Sequence, residues 1–190
     1  MNYPVFPLNS VICPHGRIPL QLFEPRYVDM LSDCMKTGQG FVIVLIKEGK
    51  DTDQCVEYYS VGTEVKIVDF YTLPNGLLGI TCEGERKVRL SDPTRSDQGL
   101  HYGCVEVLAE EPYESLPEGV DDLVGLLQRL MQYPAVSNLE MVVDYSDCRH
   151  IGWRLTELLP ITPEQKQALL EMASPRQRLL EIQDLLHGLE

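Results

Sequence analysis

Apolar positions alternate or cluster in short blocks up to about residue 108 and recur at helical spacing beyond it, so the chain reads as β-rich first and α-rich second. Prolines 4, 7 and 19 remove ladder donors, which suits strand starts, edges or bulges better than central strand positions. Pro14 and Gly16 mark a turn between two early strands. Pro25 has the fixed φ wanted at a first helical position, and Tyr27, Met30, Leu31 and Cys34 follow on one face. Phe41 to Ile46 is an apolar run of six residues, right for a buried strand and too short to span a membrane. Strand-rich sequence follows over Glu57 to Phe70, Pro74-Asn75-Gly76 predicts a hairpin turn into Leu77 to Cys82, and Gly103 to Leu108 is a further strand.

From Pro117 the period changes. Val120, Leu123, Val124, Leu127, Leu130 and Met131 form one helical stripe ended by Pro134, and Ile151 to Leu159 predicts a helix stopped by Pro160. Thr162-Pro163-Glu164-Gln165 and Ser174-Pro175-Arg176-Gln177 each place a hydroxyl at the N-cap, proline at N1 and glutamine at N3, so two more helices start at defined residues. The last carries Leu179, Ile182, Leu185, Leu186 and Leu189, a stripe expected to dock on the other helices, with a free partner-binding helix as the other reading. The expected organisation is a β-rich subdomain over residues 1–112 and a helical one over 113–190.

Composition is that of a globular protein, with 44% hydrophobic and 24% charged residues among 190. Net charge is −13, and the balance of Lys and Arg against Asp and Glu is +1 over residues 1–50, −9 over 51–120 and −5 over 121–190. Such a field repels phosphate backbones and acidic membrane surfaces, so neither nucleic acid nor membrane is an expected partner. The basic stretch Arg86-Lys87-Val88-Arg89, with Arg95 beyond, reads as a solvated strand beside Glu83 and Glu85. The N-terminus offers no basic or apolar signal stretch, which points to the cytoplasm.

The six cysteines, at 13, 34, 55, 82, 104 and 148, stand on apolar segments and read as reduced thiols. Cys13-x-His15 with Cys148-x-His150 offers the ligand types of a zinc site, but the one-residue gap departs from the usual spacings, and no metal or cofactor is expected. Asp121-Asp122, Asp144 and Asp147 read as helix N-terminal charge and turn residues.

The opening, Phe6-Pro7-Leu8 through Cys13-Pro14-His15-Gly16 and Ile18-Pro19-Leu20-Gln21-Leu22-Phe23 to Glu24-Pro25-Arg26-Tyr27, resembles that of the Lon amino-terminal (substrate-binding) domain family, also found in cereblon and in small stand-alone bacterial proteins. Val61-Gly62-Thr63-Glu64-Val65, Pro74-Asn75-Gly76 and Glu83-Gly84-Glu85-Arg86 are similar to the family's Gly-Thr strand, hairpin and Glu-Gly-x-x-Arg strand, in the same order. Leu158-Leu159-Pro160-Ile161 before Glu164 to Glu171 resembles the helical end of the domain. The resemblance implies an α+β fold: a PUA-like β pseudobarrel with one covering helix, followed by a C-terminal α-helical bundle.

It also implies the recognition half of a protease without motor or blade, because no G-x-x-x-x-G-K-[S/T] loop is present and no catalytic residue carries over. The expectation is a non-catalytic module that binds unfolded or exposed-apolar polypeptide. Phe23, Tyr27, Phe70, Tyr71, Leu73 and Leu77 are its candidate groove or rim residues, against core packing as the alternative for each. Two rivals remain: an adaptor gripping a protease or chaperone through residues 174–190, and a small-ligand or RNA-binding PUA-like protein.

Overall fold

The computed structural model describes residues 2–50 and 56–188, so Cys55 and Leu189 lie outside it. The chain divides into two units, Met1–Leu108 and Ala109–Glu190.

The first unit holds β1 (Asn2–Leu8), β2 (Arg17–Leu22), α1 (Pro25–Thr37), β3 (Phe41–Glu48), β4 (Glu57–Tyr58), β5 (Val61–Thr72), β6 (Leu78–Arg95) and β7 (His101–Val107). Strand pairing runs β1-β7-β6-β5-β3 and returns to β1 through a parallel β1–β3 ladder, while β2 joins β6 and β4 joins β3 from outside that ring. The alternation of β6 explains its reach, since it pairs with β5, β2 and β7. Residues 78–83 take β2, and residues 88–95 take β7. Between the two halves lies Gly84, whose N–H donates to the Gly16 carbonyl at 2.9 Å and whose carbonyl accepts from the His15 N–H at 2.8 Å. A Cβ there would fall onto the Cys13 carbonyl, so the turn at Cys13–Gly16 docks only against glycine. Thr63 Oγ1 adds a buried 2.6 Å bond to the Ile12 carbonyl.

β6 extends well past Cys82, where the hairpin pattern alone ended it. Pro93 lies inside β6, where a register shift between Ser91 and Thr94 absorbs it, with Asp92 at φ 50°. α1 opens on Pro25 and ends on Gly38 in the left-handed region, whose N–H caps the Cys34 carbonyl. Its predicted face, Tyr27, Met30, Leu31 and Cys34, is buried among Phe6, Ile12, Leu20, Leu22, Phe41, Ile43, Val65, Ile80 and Cys82. Burial of a side chain of this size contributes about 1.5–3 kcal/mol, so the stripe is what fixes the helix to the sheet.

The second unit holds α2 (Asp121–Leu130), α3 (Pro134–Ser137), α4 (Cys148–Leu158), α5 (Pro163–Glu171) and α6 (Pro175–His187). Pro134 ends the α2 stripe and also begins a short helix of its own. α4 starts three residues before Ile151, because Asp147 caps it by accepting the Arg149 N–H at 2.9 Å. Asp144 makes a turn, accepting the Ser146 N–H and hydroxyl at 2.8 and 2.6 Å. At α5 the reciprocal capping box is complete, with Gln165 N–H on Thr162 Oγ1 and Thr162 N–H on Gln165 Oε1. At α6 the Gln177 N–H reaches Ser174 Oγ at 3.2 Å. The α6 stripe is docked: Leu179 and Ile182 are fully buried in the helical core, and Leu185 and Leu186 pack against it.

Arg178 and Glu111 form an ion pair fully enclosed in this unit. Arg178 donates to both Glu111 oxygens at 2.8 and 2.6 Å, to the Leu169 carbonyl at 2.8 Å and to the Met172 carbonyl at 2.6 Å. It therefore closes the C-terminal end of α5 while anchoring the segment before α2.

Two consequences are measurable. Arg178→Met strands the Glu111 carboxylate in the interior and is expected to cost about 3–5 kcal/mol, read from the urea midpoint, with most of the loss recovered when Glu111→Leu is added. Burial pushes the Cys34 thiol up to about 11, the Cys82 thiol up to about 12 and the Cys148 thiol up to about 11. A thiol reagent at mildly alkaline pH should accordingly leave these three unmodified in the folded protein and label them after denaturation, as peptide mass mapping would show.

Candidate functional site

The end of β2, the start of α1 and the end of β1 border a groove of about 460 Å³. Its walls are Phe6, Pro7, Leu8, Pro19, Leu20, Phe23 and Tyr27, with Ile46 beside them and Asn9, Gln21, Glu24 and Lys50 as the polar lining. Phe23 is 70% exposed although it is among the largest apolar side chains in the chain. Tyr27 is only 3% exposed; its ring lies 4.1 Å from that of Phe6, centroid to centroid, so it is a core residue that forms part of the groove wall.

The mouth is held by charge. Arg26, itself buried, pairs with Glu24 at 2.8 Å, donates to the Gly99 carbonyl at 2.7 Å and lies over the Tyr27 ring with its guanidinium carbon 4.8 Å from the centroid. At the opposite end of β2, away from the groove, Arg17 pairs with Glu83 at 2.8 Å and Lys66 joins the same carboxylate at 3.0 Å. Burial alone would raise the Glu83 carboxyl, but Arg17 and Lys66 outweigh it and hold the group below the ordinary carboxylate range.

The other four candidates stand on the β5–β6 hairpin, which β2 widens to three strands. Tyr71, Gly79 and Gln21 are in register across it, as are Thr72, Leu78 and Leu22. The next step pairs Leu73 with Leu77, whose carbonyl accepts the Leu73 N–H at 2.8 Å, while the β2 ladder ends at Leu22, one residue before Phe23. By strand alternation Tyr71, Leu73 and Leu77 belong to one face. A Cβ on Gly79 would collide with the Tyr71 ring, so that ring lies flat over bare backbone. Phe70, 59% exposed, pairs with Ile80 and belongs to the opposite face. The structure thus brings Phe23 together with Tyr27 in the groove, gathers Tyr71, Leu73 and Leu77 on one face of the hairpin, and sets Phe70 on the other.

Sequence reasoning passed over Phe6, Pro7, Leu8 and Pro19 as site residues. Their signal was present in the prolines, which marked β1 and β2 as strands with open edges. The basic stretch is neutralised locally: Arg86 pairs with Glu64 at 2.6 Å and Arg89 with Glu106 at 3.7 Å, while Lys87 is buried. Among the described residues no cluster of three or more His, Cys, Asp or Glu side chains is placed to hold a metal, and no helix is long and apolar enough to cross a membrane.

Residues 2–188 match the family described as the ATP-dependent protease La (LON) substrate-binding domain. The Lon protease of Escherichia coli K12 is 25% identical over 188 residues, covering 94% of this chain and 24% of that protein, and that of Xanthomonas oryzae is 24% identical over the whole chain and 23% of its own length. The chain thus spans about a quarter of the length of these curated relatives. Among solved structures, a Lon N-terminal domain protein from Xanthomonas campestris aligns at 31% identity with a TM-score of 0.80, over 97% of this chain and 98% of that one. The N-terminal domain of a Mycobacterium avium complex Lon protease shares the fold at 18% identity and a TM-score of 0.64, over 97% of both chains. With the strand ring, the helical end and nearly every described residue inside that match, the chain belongs to the Lon substrate-binding domain family.

Proposed function

We propose that this chain is a non-catalytic polypeptide-binding module that captures unfolded segments in the groove between β1, β2 and α1. One observation carries the reading: a large aromatic side chain, Phe23, stands exposed at the mouth of an apolar groove instead of in the core. Unfolded chains present apolar side chains, and a concave surface with aromatic walls is chemically suited to them. Phe23 and Tyr27 serve as groove residues, Tyr71, Leu73 and Leu77 extend the apolar surface along the hairpin, and Phe70 offers a separate contact on its other face. In this reading the strand ring is the PUA-like pseudobarrel and the five helices are its C-terminal bundle. Delivery of bound segments to a protease is the role the family name suggests. The adaptor reading loses ground, since the α6 residues it would offer to a partner are occupied in the helical core.

The test is fluorescence anisotropy of a labelled protein held permanently unfolded, titrated with this chain, with its folded form as competitor. Binding of the unfolded form alone is expected. Changing both Leu73 and Leu77 to serine should weaken it about tenfold, or about 1.4 kcal/mol, while leaving the thermal midpoint nearly unchanged. Retained binding with a large loss of stability would instead make those leucines structural.

A further inference from the structure

We propose that the groove takes its guest as an extended strand, held by main-chain hydrogen bonds along the open edges of β1 and β2; this rests on the polypeptide-binding reading above. The lining is the first reason. Side chains on one face of a strand come from alternate residues, yet this groove is lined by the consecutive runs Phe6-Pro7-Leu8-Asn9 and Pro19-Leu20-Gln21. Consecutive residues meet a groove when it runs along strand edges.

Pairing is the second. β1 pairs with β7 only through Val5, and from Val5 to Leu8 its ladder is with β3, so beyond Val5 its other edge meets no strand among the described residues. β2 pairs with β6 from end to end, and no other strand among the described residues pairs with it. Two open edges therefore border one groove, and the groups they present are backbone donors and acceptors. An extended polypeptide carries the matching alternation of N–H and C=O, which small apolar ligands lack.

The rim limits the guest's charge. Glu24, which lines the groove, is held by Arg26, so its charge is already matched and an uncharged segment fits beside it. β2 spans six residues, about 20 Å of extended chain, which sets the length of guest that pairs. Pro7 and Pro19 have carbonyls and no N–H, so at those positions the guest supplies the donor.

The probe is a capped, uncharged hexapeptide of alternating valine and threonine between glycine-serine flanks, labelled with fluorescein. It is compared by anisotropy with six variants that differ only by one backbone N-methyl group each. Strand pairing predicts a loss of tenfold or more at alternate positions and near-parent affinity between them, and a photoreactive version should crosslink to residues 6–9 and 19–23. Parent-like affinity in all six, equal loss in all six, or crosslinks elsewhere would overturn strand addition while leaving polypeptide binding intact. No binding by the parent hexapeptide, with the unfolded protein still bound, would overturn it as well; absence of binding to both would overturn the underlying function.

Discussion

β6 is the strand on which the first unit depends. It keeps β5 as a neighbour along most of its length and exchanges β2 for β7 on its other side near Gly84. That exchange gives β2 its place outside the closed ring. A sheet with strictly serial pairing would have put β2 between two neighbours, and no open edge would remain beside α1. The residue at the exchange must be glycine, because the Cys13 carbonyl occupies the space of a Cβ and both Gly84 main-chain groups are bonded to the same turn. The groove is thus a consequence of a backbone approach at Gly84, a residue far from Phe23 in sequence.

Buried arginines perform a common task in both units. Arg26 ties the first turn of α1 to Glu24 and the Gly99 carbonyl, and Arg178 ties α6 to Glu111 and the end of α5. In each case the planar guanidinium spreads its donors over a carboxylate and a main-chain carbonyl, a rigid fork that the lysine ammonium lacks. Desolvation makes such groups weak sources of net stability, so their value lies in fixing geometry. At Arg26 the geometry fixed is the mouth of the groove: Glu24 adjoins Phe23, and Tyr27 follows directly.

Much of this was legible in the sequence because it depends on local rules. The α1 face, the two hydroxyl-proline helix starts and the Pro74-Asn75-Gly76 turn each follow from spacing or φ preference within a few residues. The extension of β6 to Arg95 was hidden because Pro93 is a breaker by propensity and tolerable only at a bulge, which is a tertiary fact. Tyr27 shows the same limit at the site. Its helical position predicts either core or rim, and the Phe6 ring against it makes it core with one side toward the groove. Phe6 and Pro19 could be read as strand residues, but their meeting across a groove depends on a parallel ladder between β1 and β3 that no local signal announces.

An open edge that pairs with guests will also pair with copies of itself, and the prolines bear on that conflict. Two β2 edges brought together would each need N–H groups from the other, and Pro19 interrupts the row near its middle on both. In the proposed mode the groove bordered by β1, β2 and the α1 start would add a steric restriction, favouring a thin extended chain over another folded sheet. An unfolded segment has neither limitation: it arrives alone, carries an N–H at nearly every residue and can shift register until its donors meet the proline carbonyls. Under the proposed strand addition, discrimination between folded and unfolded chains would follow from backbone geometry, and the apolar walls would set which segments stay longest. Such a division suits a module that must accept many sequences, because the part shared by all polypeptides supplies recognition and the part that varies supplies preference.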